Sequence, residues 1–244
     1  AFVLALVAGS LAGGVTGLLT TKLRIPALLA GILTMIGLYS VNLHVMGKSN
    51  VGLLQNETVF TILENSLGLS VAMSGLVVGL VFAVAIAVVI YWFFGTELGA
   101  GVRATGCNEA MARANGINTG FNKVLGLVLS NGIVAMSGGL LAQYQGFSDI
   151  NMGRGAIVIG LAAVIIGEVI FSRIFRNFAL KLLSAVIGAI IYYIVMVFVL
   201  RLGLSTDDLK LLTALVVALF LTIPYWKGKY FTKTSVKKGE KNHA

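Results

Sequence analysis

The chain is poor in nearly every residue that carries catalytic chemistry. Of 244 residues, one is cysteine, two are histidine and nine are acidic. The lone Cys107 excludes an internal disulfide and says little about compartment. His44 and His243 stand far apart, and no group of His, Cys and carboxylate has metal-ligand spacing. An acid–base or covalent enzyme is disfavoured on the same ground. Glu57, Glu64, Asp149, Asp207 and Asp208 fall between apolar runs, and neither histidine has a serine at a usable spacing. Charge is scarce too, at 11% of residues against 58% hydrophobic, with a mean hydropathy of +0.97. A soluble domain of this length could not hide so much apolar surface, so the solvent is lipid. Prolines number two and glycines 30, and glycine in membrane helices lets backbones approach closely.

A membrane span needs about 20 apolar residues. Seven such runs are expected, over 1–20, 25–46, 70–94, 122–143, 155–172, 178–200 and 208–225. The basic residues then divide unevenly between the two sides. Lys22, Arg24, Arg103, Arg113, Lys123, Arg173, Arg176, Lys181, Lys227, Lys229, Lys233, Lys237, Lys238 and Lys241 fall on one side, and Lys48, Arg154, Arg201 and Lys210 on the other. Lys and Arg concentrate in cytoplasmic loops, so the first side is inside. The same distribution argues against nucleic acid as the partner of the +9 net charge, which sits in short loops and a tail rather than a basic stripe. Seven spans with an inner C-terminus place Ala1 outside, at the start of an apolar run, and imply at least one further span upstream. The expected organisation is an all-α polytopic bundle over 1–225, with an inner loop at 95–122 and a basic cytoplasmic tail at 226–244. Trp226, Tyr230 and Phe231 at the root of that tail read as an interfacial belt beside anionic lipid.

The inner loop holds a polar island, Gly101 to Asn118, between apolar runs. Asn108 can cap a short helix by accepting from orphan backbone N–H groups. Gly116 can end it by adopting the left-handed conformation. The intervening Glu-Ala-Met-Ala-Arg-Ala favours helix, with acid at its start and base at its end. Glu109 and Arg113, four apart, share a face and can pair. A small charged helix there is a handle for another protein.

The remaining features have plainer readings. Gly47-Lys48-Ser49 resembles the end of a phosphate loop, but the earlier glycine is replaced by Asn42 and the predicted side is extracellular; the motif is rejected, no other stretch supplies a phosphate cradle, and the chain is not expected to hydrolyse ATP alone. Ala5, Gly9, Gly13 and Gly17 form a small-residue stripe suited to close helix packing, echoed more weakly by Gly75 and Gly79. Tyr39, Ser40 and Asn42 in the second span serve as interhelical glue or hydrogen-bond a solute. Gln143, Tyr144 and Asp149 open a glycine-rich outer turn that either lines a pathway, docks a partner or is a solvated loop. Glu168 near an inner span end needs a partner, with Arg173 or Arg176 in reach, or contact with the interface.

The island, Arg103-Ala-Thr-Gly-Cys-Asn-Glu109 followed by Ala112-Arg-Ala-Asn-Gly-Ile-Asn118, resembles the cytoplasmic loop of ABC-importer permeases of the branched-chain amino-acid and ribose type. Segments 24–42, 144–153 and 157–168 are similar to a subgroup associated with tryptophan and tyrosine uptake. The resemblance implies a multi-pass protein of the bacterial cell membrane, paired with a second permease copy as a homodimer. It further implies two cytoplasmic ATPase subunits that carry ATP and Mg, and an extracellular solute-binding protein. Arg103, Thr105, Gly106, Asn108, Glu109, Arg113, Asn115 and Gly116 would then form the coupling helix and its flanks. This chain itself would need no cofactor. A secondary transporter or channel independent of ATP is the alternative, and the scarcity of charges within the spans counts against its coupling-ion site. A membrane scaffold or lipid-modifying enzyme would require catalytic groups that the chain lacks.

Overall fold

The computed structural model describes residues 1–53, 57–68, 70–153, 156–171 and 177–201, together with Leu211, Ala214, Leu215, Ala218 and Thr222. Two compact units divide the chain, Ala1–Met152 and Gly153–Ala244.

The first unit is built on four long apolar helices: α1 (Phe2–Thr21), α2 (Ala27–Met46), α4 (Val71–Gly95) and α7 (Thr119–Gln145). Each is predominantly apolar, as a helix solvated by lipid should be. Much of that surface is accordingly bare; Leu28 and Val45 on α2 are 79% and 82% exposed.

The close contact within this unit is α1 against α7, and the expected glycine stripe makes it. A Cβ on Gly9 would overlap Ala135, one on Gly13 would overlap the Leu127 carbonyl, and one on Gly17 would come within 3.0 Å of the Val124 Cα. The facing helix reciprocates with Gly132, where a Cβ would stand 2.7 Å from Ser10 Oγ. Without a hydrophobic driving force between helices in lipid, such backbone proximity supplies the van der Waals contact that holds them together. Gly17 faces Val124 and Ala5 faces Gly139, so the two helices run antiparallel. A hydrogen bond of 2.9 Å from Thr16 Oγ1 to Thr34 Oγ1 joins α1 to α2 beside the fully buried Ala30.

This arrangement gives the unit two chemically distinct ends. The α1–α2 turn and the α4–α7 connection meet at one, which carries Lys22, Arg24, Arg103, Arg113 and Lys123. The other carries Lys48. There the chain adds elements that apolar patterning does not announce. Strand β1 (Asn50–Gly52) pairs antiparallel with β2 (Phe147–Asp149), in the register Asn50–Asp149, Val51–Ser148 and Gly52–Phe147. Helix α3 (Val59–Leu67) follows β1 and is capped by Thr58, whose hydroxyl accepts from Thr61 N while Thr61 Oγ1 accepts from Thr58 N. Gly47, in the suspected phosphate motif, is the left-handed C-cap of α2.

In the second unit, α8 (Ala156–Phe171) and α9 (Phe178–Arg201) pack around buried Ala162, Ile166 and Tyr192. Gly167 lies against the Ser184 carbonyl and Gly188 against the Ala163 carbonyl, each too closely for a Cβ. Among the described residues, five helices are long and apolar enough to cross a membrane: α1, α2, α4, α7 and α9. α8 falls within the span expected over 155–172; its 16 described residues reach about 24 Å, and positions 154–155 and 172–176 lie outside the described residues. The span expected over 208–225 lies outside the described residues save for the five named above, and the tail 226–244 lies wholly outside them.

Candidate functional site

The basic end of the first unit is constructed from the polar island, which extends further than its sequence indicates. The chain leaves α4 at Thr96, whose hydroxyl donates to the Phe93 carbonyl at 2.6 Å and accepts from Gly99 N at 3.3 Å. It enters helix α5 (Glu97–Cys107), which folds back so tightly that a Cβ on Gly99 would overlap the Phe93 carbonyl. Asn108 then serves two helices: it ends α5 and caps α6 (Glu109–Ala114), accepting at Oδ1 from Met111 N at 3.0 Å. At the far end, Gly116 takes φ +78°. Its N–H reaches the Arg113 carbonyl and the Ile117 N–H reaches that of Ala112, the paired closure of a Schellman motif. Asn115 Nδ2 donates to the Met111 carbonyl at 2.9 Å, and Asn118 caps α7 by accepting from Phe121 N. Three asparagines and one glycine thus satisfy backbone groups that these short helices would otherwise leave unpaired.

Both short helices are fastened to the first turn of α7. Asn122 Nδ2 donates to Thr105 Oγ1 at 3.2 Å, and both side chains are buried. Gly101 makes room for it, because a Cβ there would sit 3.0 Å from Asn122 Nδ2. Glu109 is the centre of a second cluster, with Oε1 2.8 Å from an Arg113 guanidinium nitrogen and Oε2 2.7 Å from Lys123 Nζ. The Arg113 guanidinium also donates to Thr119 Oγ1 at 3.2 Å. The hydrogen bond from Lys123 holds the Glu109 carboxyl below the usual carboxylate range; partial desolvation opposes this, and the charges of Lys123 and Arg113 reinforce it.

What remains outward is a compact face. α6 buries only Ala112, exposing Ala110, Met111, Arg113 and Ala114. Beside it a groove of about 590 Å³ runs between α5 and the start of α7, with Leu98 and Phe121 exposed on its walls. Arg103, Gly106, Asn108 and Asn115 are exposed as a contact role requires, whereas Thr105 faces inward onto α7. Sequence reasoning had assigned Lys123 only to a charge count and had not singled out Asn122. Asn122 lies one helical turn after the cap Asn118, and Lys123 one turn after Thr119.

The other candidate residues separate. Tyr39, Ser40 and Asn42 are exposed on α2, with the Ser40 carbonyl 2.9 Å from His44 Nδ1. Gln143 and Tyr144 meet α3 instead: Gln143 Oε1 accepts from Val59 N at 3.3 Å, and the Tyr144 ring packs edge-on to Phe60 at 5.5 Å and covers Gly75. Gly79 meets nothing within 4 Å. Asp149 stays in the β1–β2 ladder, its carboxylate accepting from Asn151 N. Glu168 is exposed on α8, and its suggested partners Arg173 and Arg176 lie outside the described residues. No group of His, Cys, Asp and Glu able to hold a metal occurs among the described residues.

Comparison with known proteins identifies the family. The family model described as the permease component of branched-chain amino acid transport systems matches residues 1–223. The tyrosine transport system permease protein of Clostridioides difficile is 40% identical over 221 residues, covering 91% of this chain and 71% of that protein. The uncharacterized protein RP368 of Rickettsia prowazekii is 34% identical over 224 residues, covering 91% and 78%. The ribose import permease RbsC of Escherichia coli K12 is 28% identical over 165 residues, covering 67% of this chain and 50% of the permease. No solved structure shows significant similarity. The chain is a polytopic α-helical membrane protein and belongs to the family of permease components of branched-chain amino acid transport systems.

Proposed function

We propose that the chain is the membrane subunit of an ABC importer and forms the translocation pathway for an aromatic amino acid, tyrosine or tryptophan. The observation that carries the reading is α6, a six-residue helix capped at both ends, braced to a membrane-crossing helix and presenting Met111 and Arg113 outward. A helix so short has no stability of its own. Its caps and brace maintain a shape that a partner's groove can read. The basic end would be cytoplasmic by the positive-inside argument. There α6 would seat in an ATPase subunit, two of which would bind ATP and Mg and drive two permease copies in the cell membrane. A solute-binding protein would deliver cargo at the opposite end. Nucleotide can shift such an assembly between inward- and outward-facing states only by binding one of them better.

The substrate class is supported by the 40% identity to a permease named for tyrosine transport, which exceeds the 28% identity to a ribose permease. The decisive experiment is co-purification of a nucleotide-binding subunit, followed by ATP-driven uptake of labelled tyrosine into reconstituted vesicles. Competition by tryptophan, leucine and ribose would define the substrate. Replacing Glu109–Arg113 with Gly/Ser residues should abolish ATPase association while leaving the membrane helices folded. Intact association in that variant would sink the docking assignment, and uptake of ribose in preference to tyrosine would sink the substrate.

A further inference from the structure

We propose that Asn122 and Lys123 are positioning residues that lock the two short helices to α7, so that force applied to α6 moves α7 and the α1 helix packed on it as one body. This deepens the importer reading and rests on it. Asn122 is buried at the base of the α5–α7 groove and Lys123 is half-buried; both reach from the first turn of α7 into the polar connection. Asn122 holds α5 through Thr105, buried on both sides. Lys123 holds α6 through Glu109. Adjacent in sequence, the two side chains secure both helices from a single turn. Asn108 joins α5 to α6 directly, without a flexible linker, so both helices are restrained from both ends.

The next link is steric. Val124, next to Lys123, bears on Gly17 of α1, and Leu127, one turn further on, bears on Gly13, with no room for an added Cβ at Gly13. A packed backbone interface of that kind transmits displacement because it does not deform continuously. The chain of contacts therefore runs Met111 and Arg113, then Glu109–Lys123 and Thr105–Asn122, then α7, then α1. An exposed ion pair contributes little by itself; here it acts beside a buried hydrogen bond that fixes the same turn.

Two measurements on the full chain test the joint. In detergent, hydrogen exchange of the α6 amides is compared for wild type, Lys123→Met, Lys123→Arg and Asn122→Ala. In vesicles holding the co-purified ATPase, tyrosine uptake per ATP hydrolysed is measured for the same set. Lys123→Met and Asn122→Ala should exchange faster in α6 with α7 beyond Leu127 unchanged, and should lose roughly tenfold in uptake per ATP, within the span of ordinary coupling energies. Lys123→Arg should retain much of both, a rescue by the conservative variant that general destabilisation would not give. Unchanged α6 exchange in both single variants overturns the joint. Faster exchange with undiminished uptake per ATP overturns its role in transmission. A wild-type chain that neither retains an ATPase nor takes up tyrosine sinks the importer reading and the transmission role together, a failure visible before any variant is made.

Discussion

Gly13 of α1 lies directly against the Leu127 carbonyl of α7, so close that a Cβ on the glycine would overlap it. Its neighbour Gly14 has 3.7 Å to the nearest atom, a Val128 methyl. Gly13→Ala should therefore destabilise the first unit by about 1–3 kcal/mol, the usual cost of overpacking. Gly14→Ala should be neutral or slightly stabilising. Thermal unfolding of the purified chain in detergent checks the contrast, and equal effects at the two positions would refute the packing assignment.

The α6 caps can be tested one by one. Gly116 holds φ +78°, so Gly116→Ala should cost about 1–2 kcal/mol through left-handed strain. Asn108→Ala should cost about 1 kcal/mol by removing the acceptor for Met111 N. Gly106, inside α5 with no atom within 4 Å of an added Cβ, should behave oppositely. Gly106→Ala should stabilise α5 by about 0.5–1 kcal/mol. Amide exchange across 97–116 reads all three.

Acid should release Glu109. Its folded pKa is lowered, chiefly by the Lys123 hydrogen bond. A lowered carboxylate contributes stability that is fully present above its unfolded value, near about 4.3. That contribution disappears as pH falls through the lower folded value. The brace should thus be intact at neutral pH and be lost as pH falls through that lowered value. A carboxyl NMR titration should place the Glu109 midpoint below the ordinary glutamate range, and Lys123→Met should move it upward. A midpoint indifferent to Lys123 contradicts the assigned cause.

In the second unit, Gly167 and Gly188 sit against carbonyls of the facing helix, while a Cβ on Gly160 would meet nothing of another element within 4 Å among the described residues. Valine at either of the first two should separate α8 from α9 and expose Tyr192, now 1% exposed. The expected loss is about 1–3 kcal/mol. Gly160→Ala should be silent. Near-ultraviolet circular dichroism from the tyrosine pair Tyr192 and Tyr193 reports the separation.

Legibility of the fold followed length scale. The long helices begin and end within three residues of the expected apolar runs, because each span must satisfy its backbone internally in lipid. The glycine stripe on α1 was readable as a packing face, since four-residue spacing puts small residues on one side. The cap and stop of α6 were readable because Asn108 and Gly116 act locally. α5 was not. Gly99, Gly101 and Gly106 lower its helix propensity, and what stabilises it is contact with α4 and α7. α3 and the β1–β2 ladder were missed for the same reason, being short elements held by Gln143, Tyr144 and Gly146 from a distant part of the chain.

The sequence by itself determined that the chain lives in lipid, where its long helices lie and where a short capped helix interrupts them. Apolar length, charge asymmetry and capping are properties of neighbours along the chain. Only the tertiary structure decided which face the stripe meets, that Thr105 turns inward, that Tyr144 closes over Gly75, and that Glu109 has Lys123 as well as Arg113 for a partner. Those pairings join residues as much as 134 positions apart, from Ala5 to Gly139. They depend on helices packing antiparallel at backbone distance, which no local pattern encodes.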